Sequence, residues 1–361
     1  MNINNSILTF KIKHDRDFSI ELQKARKIAI FSLKTHSRSS KDVKQLGLPS
    51  YISNQILKKY SSNKKLKTIK SVKLTIPSQA IKLIDNNKIQ IKCLKLVLDY
   101  NFNKEFVKIN QIELDNKYAY VSVEIINKKE IETKNYIGID RNTTGHCAVV
   151  ALPHTGKVYK LGKKAFHIHR KYKKIRMHLQ KKNAKKMLKK IRKREKNIIK
   201  DINHKVSKQI VEIAIKNNCG VKLEDLSGIR KNNKKRSNKK NKNGESFKTS
   251  INTWEFYQLQ KMIEYKSKIY GIPVIYIDPH YTSQKCSKCG LIGNRNQKKF
   301  SCPHCGHVDH ADSNAAFNIA VSESILKSNE CNGQSLTDRD VNEGNTDNPH
   351  LETQQPMKAV A

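Results

Sequence analysis

Four cysteines constrain this chain more than any other feature of it. Cys286 and Cys289 form one CxxC pair, and after twelve intervening residues Cys302 and Cys305 form a second. Each CxxC turn offers two sulfurs about one metal diameter apart, so two such pairs suit a single tetrahedral Zn²⁺. Gly290 and Gly306 follow the two pairs, as tight turns require. Chance CxxC turns or a redox dithiol explain this spacing less well. It predicts a zinc ribbon over 286–306 around one structural zinc.

The residues after the ribbon are as informative. Asp312 comes within seven residues of Cys305, and SNAAFNIA then reads as the start of a helix. Ser313 and Asn314 are capping residue types, while Ala315, Ala316, Ile319 and Ala320 give a small, close-packing face. Alone, an acid at a helix entrance is an ordinary cap favoured by the helix dipole. Asp312 gains meaning from two carboxylates upstream.

Lys and Arg number 72 against 31 acids, a formal net charge of +41 over 361 residues. A long polyanion is the simplest explanation, because each neutralised phosphate releases counterions. A membrane surface would be the competing polyanion. No apolar run approaches the roughly 20 residues needed to span a bilayer, and the N-terminal stretch lacks a continuous apolar segment. The expectation is a soluble, cytoplasmic protein that engages neither a membrane nor a small-molecule substrate. The other four cysteines, Cys93, Cys147, Cys219 and Cys331, are scattered and read as free thiols of a reducing compartment.

Residues 7–14 alternate like a strand, and from about Ser19 to Lys70 the period turns helical. Residues 71–130 return to period two in VKLTI, IQIKCLKLVLDY, FVKINQIEL and YAYVSVEII, which predicts a small antiparallel barrel or sandwich completed by the first strand. At Tyr136 the pattern changes again. YIGID, HCAVVAL and KVYKL are three short strands in quick succession, the first ending in Asp140, and they suit the opening of a ribonuclease-H-like sheet.

Residues 170–200 carry sixteen Lys or Arg and a single acid, and their sparse apolar positions predict an exposed helical pair. With so few neutralising partners, Arg170, Lys173, Lys174, Arg176 and Arg192 are candidate phosphate contacts. A separate helix is expected over about 202–218, followed by VKLEDL, a buried strand bearing Glu224 and Asp225. Residues 230–248 are low-complexity and basic and read as a mobile loop. WEFYQLQKMIEYKSKIYG then forms an amphipathic helix and IPVIYIDP a strand, while residues 327–361 read as a disordered tail.

Asp140 ends the first strand of an α/β sheet, where ligands and catalytic groups collect. A carboxylate on the hydrophobic strand of Glu224 would be costly without a cation. Three acids on one sheet edge repel each other unless metal ions compensate. Two Mg²⁺ about 4 Å apart would clamp the attacking and leaving oxygens of phosphodiester hydrolysis. Period two leaves open which of Glu224 and Asp225 faces such ions. Asp278 and Asp309 are further acids near this set.

At these residues the chain resembles the TnpB (OrfB) family, transposon-encoded relatives of type V CRISPR effectors. The resemblance spans nearly all of residues 1–325. It rests on YIGIDRNTTGHCAVV, VKLEDLSGIR and YTSQKCSKCG…NRNQKKFSCPHCGHVDHADSNAAFNI, the last interleaving a ribbon with a RuvC carboxylate. It implies an α+β multidomain protein with a RuvC-like nuclease over 134–285 and 307–326 carrying the inserted ribbon. It also implies a wedge-type β-barrel over 1–15 and 71–133 and a helical recognition insertion over 16–70.

The catalytic and magnesium-binding trio that the resemblance implies is Asp140, Glu224 and Asp312, with two Mg²⁺ besides the zinc. Arg295 falls between the zinc knuckles, where the family has an arginine that could contact the scissile strand. The implied partners are a guide RNA from the transposon end and target double-stranded DNA carrying a short adjacent motif. Arg141 and Asn142 follow Asp140 where many such sheets have a small residue and glycine. Two other classes of function compete: a transposase or accessory protein acting on DNA ends, and a non-cleaving RNA-guided regulator.

Overall fold

Alternating apolar and polar side chains make β1 (Asn5–Lys13), and its partner is β7 (Tyr118–Ile126), paired antiparallel from Asn5 opposite Ile126 to Lys13 opposite Tyr118. The computed structural model describes residues 5–323 apart from 64–65, 67, 86, 103, 143–144 and 227–255. All of these lie in one compact unit, Met1–Ile325. The expected mobile loop over 230–248 and the expected tail over 327–361, with Cys331, lie outside the described residues.

Between β1 and β2 (Leu74–Pro77) the chain forms helices α1 (Ser19–Thr35) and α2 (Ser50–Ser61), at the helical periodicity read from the sequence. Among the described residues, the strands that follow make two antiparallel sheets. One has the order β1-β7-β6-β2 with β6 at Lys108–Leu114; the other is β3 (Ile81–Asp85), β4 (Lys88–Ile91) and β5 (Leu96–Asp99). The segment IQIKCLKLVLDY is therefore two strands and not one. A 3-10 turn at Lys92–Leu94 and a left-handed Lys95 (φ 48°) reverse the chain within it. Phe18, Ile28, Ile52, Ile76, Ile112 and Val121 share one core between these helices and strands.

The second core belongs to a five-stranded sheet of order β10-β9-β8-β11-β12. Its strands are β8 (Tyr136–Arg141), β9 (Ala148–Leu152), β10 (Lys157–Leu161), β11 (Gly220–Glu224) and β12 (Val274–Ile277). The first three strands run antiparallel in succession, and β11 then pairs parallel with both β8 and β12. A parallel pair needs a long crossover, and here it includes α3 (Lys163–Lys181) and α4 (Lys185–Lys216).

The single helix α4 replaces the separate helix expected at 202–218. No Gly or Pro interrupts 185–216, so the basic stretch and the amphipathic stretch propagate as one. Left-handed Asn183 (φ 49°) makes the turn between α3 and α4.

Period-two alternation splits this sheet cleanly. Ile137, Ile139, Val150, Leu152, Val221 and Leu223 enter the core with Val206, Ile210 and Ala214 of α4. The same core takes Leu259 and Ile263 of α5 (Phe256–Ile269). The other face carries Gly138, Val149 and Ala151, and on it lies α6 (Ala311–Val321). A Cβ on Gly138 would sit 2.0 Å from the Ala316 carbonyl oxygen and 2.4 Å from the Ala320 nitrogen. Glycine is what lets the helix backbone approach that closely. Lys222 Nζ, on the same face, donates to the Ser322 carbonyl at 2.6 Å and ties down the C-terminal end of α6.

Gly138→Ala is expected to push α6 off the sheet and to destabilise the fold by about 1–3 kcal/mol, the usual cost of overpacking. The melting temperature should fall measurably; an unchanged melting curve would mean that α6 is free to shift.

Candidate active site and metal centre

Strand register places two of the candidate acids side by side. Leu223 of β11 lies opposite Ile139 of β8, so the next residues, Glu224 and Asp140, lie side by side near the ends of adjacent parallel strands, with β8 running one residue further to Arg141. The third comes from α6. Held against Gly138 and pinned by Lys222 at its far end, the helix presents its first turn, with Asp312, at the strand ends. All three are buried: Asp140 is 8 % exposed, Glu224 9 % and Asp312 1 %.

Burial and the neighbouring charges of Glu224 and Asp312 push Asp140 up to about 7, although Asn142 Nδ2 donates to its Oδ2 at 2.8 Å. Burial raises Glu224 too, opposed by a hydrogen bond from Thr282 Oγ1 to Oε1 at 2.6 Å and by the charge of Arg141. Of the pair left open by the sequence, Glu224 is the acid whose charge bears on Asp140. Asp278 is instead an exposed partner of His280, and Asp309 lies in β15 (Val308–His310) opposite Phe300 of β14 (Lys299–Ser301).

Asp312 carries its own counter-charges. Lys298 Nζ lies 2.6 Å from Oδ2 and Arg295 Nη2 3.4 Å from Oδ1. Arg295 is on β13 (Asn294–Asn296), and Lys298 is in the turn to β14. The ribbon hairpin thus leans on the edge where the acids gather. The cap of α6 is His310, whose Nδ1 accepts from the Asp312 amide at 3.3 Å, and not Ser313 or Asn314. Those caps fail because the helix begins two residues before Ser313, so both lie within it.

Arg141, which marked a departure from the usual pattern after the strand, is only 5 % exposed. It donates to Gln260 Oε1 at 2.8 Å and to the Glu224 carbonyl at 2.6 Å, linking β8, β11 and α5. Its side chain braces the acidic edge from the opposite side to α6.

The four cysteines converge as their spacing predicts. Cys286 and Cys305 sulfurs are 3.6 Å apart, Cys289 and Cys302 sulfurs 3.5 Å, and all four lie within 4.8 Å of one another. A disulfide would need about 2.05 Å. Tetrahedral sulfurs at about 2.3 Å from Zn²⁺ are about 3.8 Å apart, so the quartet fits one zinc ion. Elsewhere Cys93, Cys147 and Cys219 are free thiols, and burial pushes Cys147 up to about 12.

The basic hairpin separates into two kinds of residue. Arg170, Lys173, Lys174 and Arg192 are exposed. Arg176 turns inward and bonds Glu195, the lone acid of 170–200, which is buried and also bonded by His169 Nδ1 at 3.0 Å. Among the described residues, no helix is long and apolar enough to cross a membrane.

Comparison with known proteins adds to this geometry. Residues 256–319 match the Cas12f1-like TNB domain model. A CRISPR-associated endodeoxyribonuclease Cas12f1 of Sulfoacidibacillus thermotolerans is 46 % identical over 123 residues, 33 % of this chain and 26 % of that protein. A TnpB-like protein of Methanocaldococcus jannaschii is 38 % identical over 120 residues, 33 % of this chain and 41 % of that protein. These matches support a TnpB/Cas12f-type family. Both span less than half the length of the curated relative.

The fold extends further than the sequence match. A cryo-EM structure of a Cas12f1–sgRNA–target DNA complex superposes with a TM-score of 0.57 at 19 % identity, covering 84 % of this chain and 82 % of that one. The mixed α+β fold is therefore similar to that of Cas12f1.

Sequence reasoning missed Thr282, Lys298 and the cap at His310. Thr282 stands four residues before Cys286 in YTSQKC and Lys298 three after Arg295. Proximity to the knuckles was the available signal, but only folding turns both onto carboxylates. For the metal centre, Cys302→Ser should lower bound zinc from about one per chain and reduce thermal stability, since structural zinc contributes folding free energy. Unchanged zinc content by elemental analysis would overturn the four-thiolate assignment.

Proposed function

We propose that this chain is an RNA-guided, Mg²⁺-dependent DNA endonuclease whose chemistry resides at Asp140, Glu224 and Asp312. The observation that carries the reading is the meeting of these three buried acids, from two strand ends and a helix start, at one edge. Such a concentration of negative charge is costly without cations; burial first, and then the charges of Glu224 and Asp312, raise Asp140 to about 7. Hard oxygen donors of this kind fit Mg²⁺. Bound there, divalent ions supply an activated water and charge stabilisation at the leaving 3′ oxygen.

The chain's own residues then have distinct tasks. Asn142 and Thr282 hold the Asp140 and Glu224 carboxylates by hydrogen bonds, and Arg141 fixes the strand ends beneath them. The sheet order, with three antiparallel strands followed by two parallel ones, supports a RuvC-like, ribonuclease-H-like reading of 134–285 and 307–326. In the same reading, residues 1–15 and 71–133 are a wedge-type β-barrel and 16–70 a recognition insertion. Arg170, Lys173, Lys174 and Arg192 contact nucleic-acid phosphates, with Arg176 bracing them through Glu195. Arg295 sits where it can meet the scissile strand. A guide RNA from the transposon end and matched double-stranded DNA are the proposed partners. The relative named as an endodeoxyribonuclease and the neighbour solved with sgRNA and target DNA support this assignment.

The test is to purify the protein with RNA expressed from its own locus, sequence that RNA, and assay a plasmid bearing the matching target with Mg²⁺. Cleavage at the target is expected, and Asp140→Ala should abolish it while leaving DNA binding intact. A plasmid that is bound but left uncut by the wild type would favour a non-cleaving regulator. An Asp140→Ala protein that cuts at the wild-type rate would overturn the carboxylate assignment.

A further inference from the structure

The segment between β12 and the first knuckle does more than connect them. Tyr281 adopts a left-handed backbone (φ 61°), a conformation costly for a bulky residue and normally retained only where the surroundings impose it. The surroundings here are two asparagines of α6. Asn318 Nδ2 donates to the carbonyls of Thr282 at 2.8 Å and Lys285 at 2.7 Å. Asn314 Nδ2 donates to the Lys285 carbonyl at 2.7 Å, and its Oδ1 accepts from the Ser287 amide at 2.8 Å. Both asparagines are buried.

The product of this constraint is one contact. Thr282, 5 % exposed, donates its hydroxyl to Glu224 Oε1 at 2.6 Å, with the Pro279 carbonyl a longer second acceptor at 3.1 Å. The helix that supplies Asp312 thus also clamps the turn that holds Glu224, and the same turn runs directly into Cys286.

We propose that Thr282 is a positioning residue for the acidic edge: its hydroxyl fixes the Glu224 carboxylate in the orientation in which it and Asp140 bind a divalent cation. The inference rests on the carboxylate reading above. It gives the TSQKC segment a task beyond delivering the first zinc ligand, Cys286. A hydroxyl bonded to one carboxylate oxygen leaves the other acceptor positions of that group for a cation. Because the hydroxyl acts through Glu224, its loss is expected to weaken cation binding and not to remove it.

The measurement is a Mn²⁺ titration of the full-length, zinc-loaded protein without nucleic acid, following the EPR signal of free Mn²⁺. Glu224→Ala is the reference. Thr282→Val, which keeps the shape and removes the hydroxyl, should weaken Mn²⁺ binding about tenfold or more, as loss of a group that orients a metal ligand does. Zinc content should be unchanged, and Thr282→Ser should restore wild-type affinity. If Glu224→Ala weakens Mn²⁺ binding and Thr282→Val does not, the inference fails while the carboxylate reading stands. If Glu224→Ala binds Mn²⁺ as the wild type does, the carboxylate reading fails and this inference with it. Should Thr282→Val lose zinc or unfold, Thr282→Ser decides. Wild-type affinity in that folded variant supports the hydroxyl's role, and a tenfold loss overturns it.

Discussion

The contact between α6 and the sheet at Gly138 governs the rest of this structure. With no Cβ at that position, a helix backbone lies directly on β8, and Ala316 and Ala320 meet it with side chains small enough not to intervene. From that contact follow the position of Asp312 at the strand ends, the reach of Asn314 and Asn318 to the turn before the ribbon, and the anchoring of Lys222 to the end of the helix. A larger residue at 138 would shift all of these together, because close-packed interiors transmit displacement and do not absorb it.

The electrostatics have two scales. Globally the chain carries +41. Locally the charge reverses: Asp140, Glu224 and Asp312 are buried together, and the nearest compensation comes from Lys298 and Arg295 of the ribbon hairpin and from Arg141 beneath. Buried negative charge is thus embedded in a protein of large positive net charge. The two coexist because burial strengthens the local field while solvent screens the distant one.

Cysteine spacing, strand periodicity and the basic run were legible because each is a local pattern. The ribbon quartet, the strand of Asp140 and the helical character of 170–200 are all set by residues within a few turns of one another. Boundaries were less legible. The single helix at 185–216 looked like two because its apolar positions are sparse at one end and dense at the other, though no Gly or Pro breaks it. The strand expected at 89–100 proved to be two because a left-handed Lys95 is a tertiary outcome that no local composition announces.

By itself the sequence determined which residues were available for metal binding and charge: four cysteines at ribbon spacing, acids at two strand ends and a helix start, and an excess of lysine and arginine. Its periodicity left Glu224 and Asp225 equivalent, since alternation says that they point apart but not which faces what, and only the family resemblance implied Glu224. The tertiary structure decided that Glu224 faces Asp140, that Arg176 turns inward to Glu195 while its neighbours stay exposed, and that Thr282 reaches Glu224. The reason is physical. Spacing along the chain fixes only what lies within a turn or a strand, whereas these contacts join elements far apart in sequence. They exist only once both cores have packed.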